Sequence, residues 1–204
     1  MEYINVTEEV WRGNIADPNE VKRAVESHFK LVATKKLYNM VLKKLYDLRG
    51  STLISLAKLK MYASFCMKNL FGMIPDLLRP WWHGPNHSKI ARSIIDVNKV
   101  YQSLFNVYGI CEALHSTAVP HPEGEYELIL PRMRYNIVDG FEVAAFGRDL
   151  VSLDAILLNL SEGWISQSAE LNLKPIEIAE EEFWACDREA VRESKEKVGN
   201  WLSR

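Results

Sequence analysis

The residues Ile90, Ile94, Val97, Tyr101, Leu104, Tyr108, Cys111 and His115 recur three and four positions apart along one stretch of the chain. This spacing predicts a long helix, opened by Ser88, with one continuous apolar stripe. Such a stripe must be buried against other elements. The expected fold is therefore mainly α, a helical bundle of five to six helices.

The rest of the chain offers partners for that helix. Asp17-Pro18 reads as an N-cap followed by a first-turn proline. Val21, Val25, Phe29 and Val32 then mark one helical face. After Thr34 the apolar set becomes Leu37, Tyr38, Val41, Leu42, Leu45 and Leu48, rotated away from the first, which predicts a kink or break near Thr34. Gly50 ends this segment. Ser51 or Thr52 is the expected cap of a further helix reaching about Met73. Leu53–Ile74 is the most apolar stretch, but Lys58, Lys60 and Lys68 interrupt it, which points to a buried helix and no membrane span.

Helical signals stop at Ser116. Pro120, Pro122 and Gly124 mark a loop, and Tyr126–Leu130 and Tyr135–Phe146 are strand-like. Asp139-Gly140 is a turn signal, so Arg134–Ile137 and Phe141–Ala145 are expected to pair as a small antiparallel β-hairpin or sheet inserted around 126–146. Ser152 is the expected cap of a helix ending by Gly163. A last helix starts near Ile178 or Glu180, with the stripe Phe183, Trp184, Ala190, Val191, Val198, Trp201 and Leu202. The expectation is one domain, residues 1–204. It comprises an irregular or extended arm (1–16), a basic helical core (17–117), a loop and β-hairpin (118–150) and an acidic helical part (151–204).

An apolar content of 48% argues against disorder of the whole chain. The acidic start, MEYINVTEEVWRGN, lacks the basic and apolar regions of a secretory signal. Cys66, Cys111 and Cys186 are odd in number and widely spaced, which suggests a reducing compartment. A cytoplasmic or virion location is expected, not secretion.

Charge carries the functional expectation. Residues 21–95 hold fourteen Lys/Arg against three acids, whereas residues 96–204 hold ten against nineteen. Lys35, Lys36, Lys43, Lys44, Arg49, Lys58, Lys60, Lys68 and Arg79 can line a groove that follows a phosphate backbone. Trp81 and Trp82, between two prolines, either plug the core or anchor a partner. Glu181, Glu182 and Glu189 belong to the acidic part that can meet a neighbour's lysines.

The preferred expectation is thus a non-enzymatic, self-assembling structural protein resembling a viral or phage coat or nucleocapsid subunit. Its partners would be single-stranded RNA or DNA, bound without sequence preference, and other copies of itself, with no membrane and no cofactor. An interaction or inhibitor module docking an acidic protein is the alternative. A third reading is a small helical ribonuclease using Arg23 and His28, an Arg-x4-His pair. Cys111 and His115, with His83 and His87, have i, i+4 spacing that could hold zinc, although packing roles are the stronger reading. No P-loop, GxGxxG, GxSxG or HExxH motif occurs.

Overall fold

A computed structural model describes residues 3–30, 35–59, 64–85, 88–120, 124–127, 134–139, 142–160 and 177–179. Along the chain, the first elements are α1 (Val6–Trp11), α2 (Pro18–Glu26), a 3-10 helix (Lys35–Met40), α3 (Lys43–Asp47) and β1 (Thr52–Lys58). Then come α4 (Cys66–Asn69), 3-10 turns at Leu70–Met73 and Asp76–Leu78, α5 (Arg79–His83), α6 (Ile90–Leu104) and β2 (Asn106–Ala113). The last are β3 (Thr117–Pro120), β4 (Tyr126–Glu127), β5 (Arg134–Val138), β6 (Val143–Gly147) and α7 (Leu150–Leu160). The protein is α/β, with a mixed three-stranded sheet, rather than a helical bundle carrying one hairpin.

Contacts divide the chain into two units: residues 1–53 with 67–107, and residues 54–66 with 108–204. In the first unit α6 supplies the core. Ile94, Val97, Tyr101 and Leu104 are buried, as their spacing predicts, and Val100 is buried as well. They pack with Val21 and Val25 of α2, whose cap is the expected Asp17, accepting from the Asn19 N–H at 2.8 Å. Asn98 on α6 donates to the Met67 carbonyl at 2.9 Å and ties in α4.

The long helix stops at Leu104, and Phe105 is already extended. Asn106–Ala113 is a strand. Tyr108 and Cys111 fit the helical stripe only because apolar residues also alternate here, and Gly109 disfavours a helix interior. The 52–58 stretch is likewise a strand rather than a helix. Its apolar residues Leu53, Ile54, Leu56 and Ala57 fit either period, and β-branched Thr52 and Ile54 favour the extended form. The supposed arm also contains a helix, α1, whose Asn5 side chain accepts from the Glu8 N–H. After residue 34 a 3-10 helix and the short α3 replace a continuing α-helix. α2 already ends at Glu26, and Thr34, where the kink or break was expected, lies outside the described residues.

In the second unit the sheet order is β1-β2-β6. β1 and β2 are the parallel pair, with the Leu59 N–H donating to the Glu112 carbonyl at 2.8 Å. β6 runs antiparallel to β2, Ile110 facing Phe146. A second sheet has the order β3-β5-β4. The Asp139-Gly140 hairpin therefore does not form: β5 pairs with β3 and β4, and β6 pairs with β2. Local turn chemistry loses to long-range pairing, because β6 completes the sheet beside β2.

α7 lies against the inner face of the first sheet. Its cap is Asp149 rather than Ser152: the Asp149 carboxylate accepts from the Val151 and Ser152 N–H groups at 2.9 and 3.2 Å. A Cβ on Gly109 would lie 2.7 Å from side-chain carbons of both Leu150 and Leu153, so only glycine permits this approach. The last helix expected from sequence falls mostly outside the described residues; only 177–179 are described, and they are helical.

Candidate polyanion-binding site

The basic residues singled out from the sequence have different local surroundings. Several are committed to the protein itself. Lys43 pairs with Asp47 at 3.0 Å, one turn along α3, and Lys58 pairs with Glu112 across β1 and β2 at 2.8 Å. Arg79 pairs with Asp76 and donates to the Ile74 and Gly72 carbonyls, which holds the chain around α5. Arg49 stacks on Tyr46, 4.4 Å from its centroid, and donates to the Tyr46 carbonyl. Lys44 is exposed on α3, and Lys68 is half-buried on α4. Lys35 and Lys36 are exposed at the start of the 3-10 helix. Lys60 lies outside the described residues, as do the acidic Glu181, Glu182 and Glu189.

The aromatic pair splits. Trp82 is buried, and Ser93 on α6 donates to its carbonyl at 2.9 Å. Trp81 meets Trp82 edge-on at 5.1 Å and stays 50% exposed. Two ammonium groups lie at its ring: Lys36 Nζ and Lys89 Nζ, each 5.0 Å from the centroid. This is cation–π range. Sequence reasoning put Trp81 and Lys36 in separate groups and missed Lys89.

Gly84 makes this corner possible. It follows α5 with φ +70°, a conformation that disfavours a side chain. A Cβ there would also come within 2.7 Å of Lys89 Cγ. The Lys89 N–H donates to the His83 carbonyl at 3.0 Å, which closes the turn and brings the lysine stem back toward α5. The turn at Gly84 is what returns Lys89 to Trp81.

The weaker candidates are placed as follows. His28 is exposed just past α2, its Nδ1 2.9 Å from Ser27 Oγ and 3.1 Å from the Ala24 carbonyl oxygen; Arg23 is exposed in the last turn of α2. Cys111 is on a strand and not one helical turn from His115, which is exposed beyond β2. His83 packs on Phe71 with centroids 5.2 Å apart, and His87 lies outside the described residues. Among the described residues no group of three or more metal-ligating side chains forms.

The second unit holds a buried polar cluster. The carboxylate of Asp154, fully buried on α7, accepts from the Phe65 and Cys66 N–H groups at 2.9 and 2.8 Å. Ser55 donates to the Cys66 carbonyl at 2.8 Å. Cys66 and Cys111 are buried free thiols. The hydrogen bond between them, burial and the neighbouring Asp154 charge all push the Cys66 thiol far above its ordinary range. A thiol held protonated in this way is a poor nucleophile, so the cluster reads as structural.

On an α/β fold, this corner brings two ammonium groups to a half-exposed aromatic ring. Residues 19–159 match the family model described as a domain of unknown function, DUF362, and the chain belongs to that family. No curated protein and no solved structure matches the chain. No helix among the described residues is long and apolar enough to cross a membrane.

Proposed function

We propose that the protein binds single-stranded nucleic acid through the Trp81 corner of its first unit, without catalysing a reaction. A base stacks on the Trp81 ring as the Lys36 and Lys89 ammonium groups, which lie over it, move to the flanking phosphates. The observation that supports this reading is the half-exposed Trp81 ring with an ammonium group 5.0 Å from its centre on each of two separate segments. Every base has a π-face, so stacking on tryptophan tolerates sequence, and lysines beside the ring suit the backbone. Internal pairing of Lys43, Lys58 and Arg79 makes the contact smaller than the whole 35–79 region. Neutralising two phosphates gives a log–log salt slope of about −1.4 for a single strand.

Fluorescence anisotropy with labelled oligo(dT) and oligo(U) at several salt concentrations tests this. Trp81→Ala should lose about 1–3 kcal/mol of binding, and Lys36→Gln with Lys89→Gln should flatten the salt slope. Absence of binding to either oligomer, or binding indifferent to Trp81→Ala, refutes the reading. Capture of a stoichiometric acidic protein instead of oligonucleotide would favour the interaction-module alternative.

A further inference from the structure

Three groups meet at the Trp81 corner, and each comes from a different element. Trp81 lies on α5, which the buried Trp82 and the Ser93 hydrogen bond to its carbonyl fix to α6. Lys89 immediately precedes α6 and is fixed by the bond from its N–H to the His83 carbonyl. Lys36 arrives on the 3-10 helix Lys35–Met40, and its anchor is of another kind.

A 3-10 helix of six residues exceeds the roughly three or four at which such helices usually stop, because its hydrogen bonds are poorly aligned. Its placement therefore depends on side chains. Lys35 and Lys36 are exposed, whereas Leu37 and Tyr38 are buried. Leu37 and Val41 face Ile74, Val97, Val100 and Tyr101 around a small apolar cavity. A gap of this kind forfeits part of the dispersion contact, and apolar contact has no preferred direction. This seat alone does not fix how the segment is turned. Tyr38 supplies the direction. Its hydroxyl donates at 3.2 Å to Oε1 of Glu26, the last residue of α2. A buried phenol needs such a partner. Burial, and then the Glu26 charge and hydrogen bond, push the Tyr38 phenol above its ordinary range, so it stays a donor. The chain leaving α2 is also held earlier, where the buried Lys99 of α6 donates to the Lys30 carbonyl at 3.0 Å. Lys36 thus lies between two tethered points, and Tyr38 is the nearer.

We infer that Tyr38 and Glu26 are positioning residues of the Trp81 corner: their hydrogen bond sets the placement of the 3-10 helix and so holds the Lys36 ammonium 5.0 Å from the ring centre. Neither residue meets the ligand. Both act through Lys36, and their importance for oligonucleotide binding rests on the reading of the corner proposed above.

Ring currents report this arrangement without any ligand. The methylene protons next to the Lys36 and Lys89 ammonium groups lie over the indole, so in the NMR spectrum of the free full-length chain they should resonate upfield of ordinary lysine values. Lys36→Gln and Lys89→Gln assign them. Tyr38→Phe keeps the ring and its packing. It should return the Lys36 protons toward ordinary values and leave those of Lys89 upfield. Glu26→Ala should do the same. Glu26→Gln loses the Lys22 ion pair but keeps an acceptor oxygen, and should retain the shift. With labelled oligo(dT), Tyr38→Phe should weaken the Kd by the same factor as Lys36→Gln, and should add nothing in a Lys36→Gln background. Lys36 protons unmoved by Tyr38→Phe overturn the inference. Loss of both lysines' shifts together also overturns it, because that marks general loosening. Lys36 protons that respond as expected in a protein that binds no oligonucleotide uphold the positioning and refute the binding function.

Discussion

The Trp81 corner of the first unit and the α7–sheet seam of the second each depend on one glycine, and they use it for opposite ends. Gly84 makes room for a charged stem at the surface, where Lys89 folds back to an exposed ring. Gly109 makes room for Leu150 and Leu153 in the interior, where nothing is exposed. The same freedom from a Cβ serves an exposed cation–π corner in one unit and packing in the other. Changes at the seam should therefore move stability and leave oligonucleotide binding intact, while changes at the corner should do the reverse.

The largest effect is expected at Asp154. Its carboxylate satisfies two buried N–H groups at the head of α4. Asp154→Ala strands both, at about 1–3 kcal/mol each, so the denaturation midpoint should fall steeply. Asp154→Asn keeps one acceptor oxygen and should fall between. A wild-type midpoint for Asp154→Ala would break the structural reading of this cluster. Next is Gly109→Ala, whose new methyl group meets two leucines and the Cys66 sulfur, 3.0 Å away. Overpacking of this kind costs about 1–3 kcal/mol. Oligonucleotide affinity per folded molecule should not change, and a selective loss of affinity would contradict the separation of roles.

The sequence revealed these two regions unequally. α2, α6 and the existence of a helix at α7 were legible, because capping residues and the 3.6-residue period act locally. The strands β1 and β2 were not. The apolar residues of Thr52–Lys58 fit either period, and Asn106–Ala113 prolongs a helical stripe by coincidence. Parallel pairing of strands some fifty residues apart, as between Leu59 and Glu112, leaves no local mark. The site was legible in part. Trp81 and Lys36 were both singled out, but their meeting, and the arrival of Lys89, depends on the turn at Gly84. Lys58 finds Glu112 on the neighbouring strand, and Arg79 finds the Ile74 and Gly72 carbonyls, contacts that charge counting does not reveal.

Gly84→Ala tests the corner. A φ of +70° costs an alanine about 1 kcal/mol, and its Cβ displaces the Lys89 stem. The expected result is a small drop in melting temperature with a several-fold weaker oligonucleotide Kd. Loss of stability without loss of affinity would detach Lys89 from the site.

The smallest effect concerns Glu112, on the outer sheet face. The hydrogen bond from Lys58, the Leu114 N–H and the Lys58 charge hold its carboxyl below the usual glutamate range. A depressed folded value means that the ionised form is favoured by folding. The contribution is therefore complete above the ordinary glutamate pKa of about 4.3, and it disappears as pH falls through the lowered folded value. Both side chains are about a third exposed, so solvent screening keeps the pair to about 0–1 kcal/mol. Melting curves of the wild type and Glu112→Gln should differ by a constant small amount from pH 7 to about pH 5 and converge in more acidic buffer. Convergence in the alkaline direction instead would mean that Lys58, not Glu112, is the titrating partner. A difference that survives at the acid end would assign the effect to packing of the sheet face and not to the ion pair.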